Sequence, residues 1–426
     1  MSVDIQALAG ETLARMKSAG FDDAQVVLTI SEQDELNMAH NEPSLLRSTE
    51  DYALSLTGLS GGRKATTRLT ELDNDSIAHS ITTLFERAQL APVDEGNAVS
   101  EGQQSTFEQG PQEGDLDLLA NKVEELLEFR RHNTPRMAIE EGAALHRRVR
   151  QQLLTSRGTS LACSVGSYGL TAMGTASEGG KSSSFNGAGG RANDIADKNA
   201  ADYFGIADML KETERQIETR PIDGNFVGDV IFAPGAVSDL LGWLIQQLGD
   251  GALLANASLY RTKVGEVVTA PILNIHSRFD APGGAPFSDD GFVTPPLKLI
   301  EAGRLNMLLP SLYGSRKTGV AHTPFSSGWT IATGDIDKDA MIADVKRGAI
   351  VNRLSMGSPG PSGDFSSVIK NSFLIENGKV GAALAETMIA GNMAQMLRDI
   401  TAISKQHIDD GTYDFPWIRV PNLHFS

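Results

Sequence analysis

A single cysteine, Cys163, stands in 426 residues, which excludes an internal disulfide and any metal site built on two or more thiolates. Such sparing use fits a reducing compartment, and a cytoplasmic protein is the expectation. No stretch offers the run of roughly eighteen apolar residues that a bilayer-spanning helix needs. The opening MSVDIQALAGETLARMKSAG carries acids and polar residues where a secretory signal would need a basic start and an apolar run. Positive charge is also scarce: 37 Lys and Arg face 54 Asp and Glu, a net charge of −17. A surface that acidic repels phosphate backbones and anionic headgroups, so neither nucleic acid nor membrane is an expected partner. The densest basic cluster, His146-Arg147-Arg148-Val149-Arg150, lies in a helix-like run and is expected to be a solvated face. Aromatics are few at 6%, but hydrophobic residues reach 40%, enough for folded cores. Glycine is plentiful, 43 residues or about one in ten against a usual 7%, which predicts many turns and much β-structure.

The spacing predicts a helix over 4–20, with Asp4 as cap and Gly20 as stop, then a short β-branched strand at 24–30. Two extended stretches around Gly58-Leu59-Ser60-Gly61-Gly62 predict a hairpin, and Ile77, Ile81, Leu84 and Ala88 predict a helix over 75–90. Residues 91–114 contain no Lys or Arg and are rich in Gly, Gln and Glu, which predicts a long surface connection. A strong amphipathic helix begins at Asp115. Residues 137–176 read as extended segments or short helices, 181–190 as a flexible loop, and 194–218 as a helix ended by Pro221. From Gly228 the texture changes to a strand, a helix at 236–248, and then short strands between Gly/Pro turns. The expected fold class is α+β. An N-terminal domain, residues 1–225, would combine antiparallel sheet with helices, its sub-segments near 1–90 and 115–220. A β-rich, barrel-like C-terminal domain would follow at 226–426.

Three apparent chemical motifs fail on their surroundings. Gly58-Leu59-Ser60-Gly61-Gly62 matches a nucleophile elbow, but the RKATTRL that follows alternates like a strand where the elbow needs a helix. Gly174 to Ser182 resembles a phosphate loop with one residue too many, and no helix begins after it. The eight histidines are scattered, with no H-E-x-x-H. Asp289-Asp290 could hold a hard cation, but the six to eight oxygens of a calcium site are not in evidence.

The C-terminal half says more. Gly363-Asp364-Phe365-Ser366-Ser367, Phe373 to Lys379 and Thr387 to Met393 resemble the closing signature of the TldD/PmbA family of zinc peptidases. Pro286 to Gly291, Leu299 to Gly303 and Arg419-Val420-Pro421 fit the same pattern, as do the opening helix, Ala19 to Ala24 and the hairpin. The resemblance implies one of two kinds of chain. The TldD kind carries H-E-x-x-x-H on a helix plus a cysteine near its C-terminus, ligands that leave zinc an open position for water. The matching helix here, Val237 to Leu248, has no His and no Glu, and Cys163 lies in the other half, where a buried strand thiol is expected.

The resemblance therefore implies the PmbA (TldE) kind, with no catalytic residue and no metal ligand of its own. Zinc is expected in a TldD-type partner chain, in a heterodimer that trims or degrades peptides, including maturation of a peptide antibiotic. A homodimer is expected when the chain is alone. Two departures stand out: Ser288 where an Asp is expected, and Met356 to Ser362 without an expected Asn. The alternative is a stand-alone homodimeric peptide-binding protein; a self-sufficient serine hydrolase is a distant third. For an extended peptide substrate the candidate contacts are Phe287, Asp289, Asp290, Gly363, Asp364 and Phe365, which combine glycine, carboxylates and aromatic faces. The competing reading is that the acids cap turns and the two phenylalanines are core.

Overall fold

The computed structural model describes residues 4–325, 328–355 and 359–426. The chain opens with α1 (Ile5–Ser18), whose first turn is capped by the Asp4 carboxylate accepting from Ala7 N at 2.9 Å. Long strands follow: β1 (Asp23–Ala39), β2 (Glu42–Ser60) and β3 (Arg63–Leu69), then α2 (Asn74–Leu90), β4 (Gln104–Gln109), α3 (Leu116–Asn133), β5 (Met137–Thr155), β6 (Ser160–Glu178), β7 (Lys181–Ser182), β8 (Asn186–Ala192) and α4 (Ile206–Arg215). Gly61 and Gly62, at φ 56° and 73°, close the β2–β3 hairpin, the positive φ pair that a two-residue turn requires. These strands form one sheet in the order β3-β2-β1-β5-β6-β4, antiparallel except for the parallel β4–β6 pair.

Side chains alternate across the sheet, and the two faces have different neighbours. Val26, Leu28, Leu54 and Leu56 meet Met16, Ile77, Ile81 and Leu84 of α1 and α2. Leu170, Ala172 and Ile139 meet Leu119, Val123 and Leu126 of α3 and Met209 and Leu210 of α4. The helices thus cover one face. On the other, Leu153, Leu161, Cys163 and Val165 enclose Phe287 of the second half.

The second sheet takes strands from Thr219 onward. Its elements are β9 (Thr219–Arg220), β10 (Phe226–Phe232), α5 (Pro234–Leu248), α6 (Asp250–Leu254), β11 (Ile275–Ser277), β12 (Lys298–Glu301), β13 (Arg304–Leu305), α7 (Leu312–Thr318), β14 (Trp329–Ile331), α8 (Lys338–Ala343), β15 (Arg347–Val351), β16 (Arg353–Ser355), β17 (Asp364–Lys370), β18 (Phe373–Glu376), β19 (Lys379–Leu384), β20 (Met388–Asn392), α9 (Met393–Arg398), β21 (Ala402–Asp409) and β22 (Tyr413–Phe425). Among the described residues they make a mixed sheet of 14 strands, in which β22 pairs with β10, β14, β20 and β21. The α5 helix buries Val237, Leu240, Leu241, Trp243, Leu244 and Leu248 in the largest core. The class is α+β, as the patterning implies.

Several local expectations are overturned. The basic run 146–150 is part of β5, not a helix face: Arg148 pairs with Glu32 across the sheet at 2.7 Å, and His146 is buried. Residues 91–114 contain β4, and 181–190 contain β7 and most of β8. The helix expected over 194–218 is confined to Ile206–Arg215, because Phe204 and Gly205 take φ 55° and 74°, which breaks any helix entering from before. The expected strand at 24–30 is the first half of a 17-residue strand.

Candidate functional site

The helix α5 presents two unlike faces. Pro234 at its first position carries no N–H that would be left unpaired, and the buried face continues to Leu248. The opposite face carries Gly235, Ser238, Asp239, Gly242 and Gln246. A Cβ added at Gly242 would meet nothing within 4 Å, so the helix backbone there borders open space. Among the described residues the Asp239 carboxyl has no hydrogen-bond partner, and partial burial pushes its pKa up to about 6.

The turn at 360–364 sits on the same helix. Gln247 Nε2 donates to Pro361 O at 3.3 Å, and its Oε1 accepts from Leu259 N at 3.0 Å. Gly363 has φ +90°, and a Cβ there would lie 3.0 Å from Trp243 Cζ2, so both its conformation and its space call for glycine. Asp364 begins β17 and accepts from Asn392 Nδ2 and Ser362 Oγ, each at 2.8 Å; these bonds hold its carboxyl below the usual aspartate range. Phe365 points the other way, into the core, at 9% exposure. Of the loop Met356 to Ser362, residues 356–358 lie outside the described residues.

The segment 286–291 folds back on itself: Ser288 N donates to Phe292 O and Thr294 N to Pro286 O. Phe287 is 3% exposed and packs on the N-terminal sheet, with its ring 6.4 Å from that of Phe107. Neither phenylalanine therefore offers a face to a ligand; the reading of both as aromatic contacts gives way to packing. The acids are placed differently. Asp289, through its backbone carbonyl, accepts from Gln25 Nε2 at 3.1 Å. Asp290 accepts from Leu312 N at 2.7 Å, from His322 Nε2 at 3.0 Å and from Ser288 Oγ.

Ser288, Asp289 and Asp290 line a cleft of about 330 Å³ with Asp250, Ser311, Thr323 and Phe325. The cleft lies beyond the C-terminal end of α5, where Leu309 N donates to Leu248 O. Ser288, Asp290 and His322 are brought together, but the carboxylate lies between the hydroxyl and the imidazole. General-base activation of a serine needs the imidazole in the middle, so this is not an acyl-transfer triad.

Asp239, Trp243, Asp250 and His322 are absent from the sequence-derived candidates. Asp239 could have been found as the one carboxylate on the polar face of an otherwise apolar helix. The other three are brought in by tertiary packing and left no local signal.

The TldD kind of chain holds zinc on the helix that α5 resembles, and the chemistry of α5 decides whether this helix could do the same. Its polar face supplies two glycines, a hydroxyl, an amide and a single carboxylate. Zinc bound for catalysis takes three strong nitrogen, sulfur or carboxylate ligands, and no group of three His, Cys, Asp or Glu able to hold a metal occurs among the described residues. The donor set does not fit the ion.

Residues 226–426 match the family described as the PmbA/TldA metallopeptidase C-terminal domain. That C-terminal stretch, just under half of the chain, is of the PmbA/TldD family. Metalloprotease PmbA of Escherichia coli O157:H7 is 24% identical over 238 residues, 53% of this chain and 52% of that protein. A PmbA homolog of Haemophilus influenzae is 25% identical over 200 residues, 45% of this chain and 42% of that one. The chain thus spans about half the length of the curated relatives it matches.

Among solved structures, a Bacteroides thetaiotaomicron protein whose name links it to modulation of DNA gyrase superposes with TM-score 0.87 at 20% identity, over the whole of both chains. TldE from Thermococcus kodakarensis superposes with TM-score 0.83 at 18% identity over 98% of this chain and 100% of that one. At these identities the likeness establishes a PmbA/TldD-like fold. The curated relatives carry the PmbA name.

Proposed function

We propose that this chain is the metal-free subunit of a PmbA/TldD-type metallopeptidase, acting in the cytoplasm with a zinc-bearing, TldD-type partner on an extended peptide. The observation that carries the reading is α5 itself. The helix that corresponds to the metal-bearing helix of the TldD type keeps its packing face, and its outward face bears Ser238, Asp239, Gly242 and Gln246 beside open space. Such a face can border a substrate path but cannot activate water through a metal.

The need for a partner has separate support. Leu254, Val264 and Ile272 are each between 41% and 48% exposed within one stretch of the C-terminal half, a concentration of apolar surface that marks contact sites. In this reading Asp289, Asp290, Gly363 and Asp364 line the path, and Phe287 and Phe365 hold the segments that carry them.

The test is reconstitution. The tag-free chain, expressed alone, is expected to carry no stoichiometric zinc by elemental analysis and to cleave no unstructured peptide, and mixing it with a TldD-type chain is expected to give a zinc-dependent peptidase. About one tightly held zinc per chain, or cleavage by this chain alone, overturns the proposal. Failure to associate with any TldD-type chain would instead favour the stand-alone homodimeric peptide binder.

A further inference from the structure

A second pocket lies beside α9. It has a volume of about 60 Å³ and is lined by Leu259, Tyr260, Lys263, Glu266, Val267, Val268, Ala394 and Arg398. That is about twice the liquid volume of a water, room for a carboxylate group. Tyr260 is part of that lining and only 2% exposed, and among the described residues its hydroxyl is buried with no hydrogen-bond partner. A buried hydroxyl left unpaired costs about 1–3 kcal/mol, so native structures almost always supply it with a partner. Tyr260 packs edge-on against Trp243 of α5, whose Nε1 is likewise buried and without a partner among the described residues.

The charges around the pocket do not cancel. Lys263 and Glu266 pair with each other at 2.8 Å. Arg398, at the end of α9, has no ion pair or side-chain hydrogen bond among the described residues, and its charge reaches the Tyr260 hydroxyl, partly opposing the burial that pushes that group up to about 12. What remains is one net positive charge, one orphaned hydroxyl, and a rim of exposed Leu259 and Val267.

We propose that this pocket binds a carboxylate, the free C-terminus of a peptide whose last side chain is apolar. Arg398 pairs with the carboxylate, Tyr260 donates to it from below, and Leu259 and Val267 receive the side chain. A guanidinium suits the task because it presents parallel N–H donors to both carboxylate oxygens. The peptide as source of the carboxylate rests on the functional reading above; the pocket's chemistry does not.

Calorimetric titration of the isolated chain with N-acetyl-Leu-Leu as the free acid and as the amide, and with acetate alone, tests this. The acid is expected to bind about tenfold or more tightly than the amide, the loss that goes with one charge-assisted hydrogen bond, and acetate more weakly than the acid. Arg398→Met should abolish the preference for acid over amide, and Tyr260→Phe should weaken acid binding with the amide unaffected. Arg398 is exposed and unpaired, so a thermal melt should show its variant folded. Three results overturn the proposal: no binding of the acid at millimolar concentration, which leaves only water in the pocket; equal binding of acid and amide; or an unchanged preference in Arg398→Met. Acetate binding as tightly as the dipeptide overturns the peptide as its source. The titration uses this chain alone, so its failure leaves cleavage by the reconstituted pair untouched, and failure of cleavage leaves the titration informative.

Discussion

Asp239→Asn is expected to stabilise the protein at neutral pH, because the carboxylate it removes is held at a cost. The group sits on α5 with no partner among the described residues, and its pKa rises from 3.8 to about 6 through desolvation. A rise of that size corresponds to about 3 kcal/mol at most. The side chain is only partly covered, so solvent screens much of it and about 1 kcal/mol is the reasonable expectation. The sign follows from which state binds the proton. Between pH 4 and pH 6 the folded protein holds a proton that the unfolded chain has released, so wild-type stability falls through this window as pH rises. The asparagine variant lacks this contribution. Denaturant melts at pH 4.5 and pH 7.5 should therefore show the variant ahead by about 1 kcal/mol at the higher pH, with the gap narrowing at the lower. Equal stabilities at both values, or a wild type more stable at pH 7.5, would refute the argument and point to a cation or donor that satisfies the carboxylate in solution.

Phe287→Ala should cost about 3–5 kcal/mol, the range for emptying a buried aromatic site; a loss below about 1 kcal/mol in a denaturant melt would mean that the ring is not the anchor its burial indicates. At Gly363, alanine meets both a positive φ and the Trp243 ring, so Gly363→Ala should destabilise by about 1–3 kcal/mol, checked by thermal melting; an unchanged melting temperature would sink the steric account. The Cys163 thiol, buried and pushed up to about 11, should react with iodoacetamide at pH 8 far more slowly in the folded protein than in denaturant, and equal rates would contradict its burial. Asp289→Asn should leave stability within about 0.5 kcal/mol, as for a surface change, and lower turnover by the reconstituted pair; unaltered turnover removes it from the substrate path.

Helices with a continuous buried face were legible in the sequence: α2, α3 and α5 each repeat their apolar residues every three or four positions, and the packing that results needs no distant information. Long strands were not. In β1 the alternation holds from Ala24 to Ile30 and then gives way to Ser31-Glu32-Gln33-Asp34-Glu35, polar on both faces, so its second half is specified by pairing with β5 and not by its own pattern. The run His146 to Arg150 misled for the same reason, since its charges are balanced across the sheet by Glu32. The candidate segments were found through family resemblance, and their position on α5 and in the cleft depends on contacts between residues more than a hundred apart. No local spacing could show that Phe287 would be buried while Asp290, three residues on, faces a cleft.

That division of labour has a mechanical sense. The loop that bears Asp289 and Asp290 is fixed at one end by Phe287 in the N-terminal sheet and at the other by α7, whose Tyr313 donates to Asp94 at 2.9 Å and whose Arg316 donates to Glu95 O at 2.9 Å. A second clasp joins the halves where Arg191 N donates to Asp410 O at 2.8 Å. Closing loops between elements already in place costs little further chain entropy. The cleft acids are thus held by two attachments, Phe287 and α7, in addition to their own turn. Asp290 takes part in that hold through its bond to Leu312 N, and its carboxylate cannot be traded without loosening α7. Among the described residues Asp289 is bound through its carbonyl and not through its carboxylate, which leaves that side chain available to whatever enters the cleft.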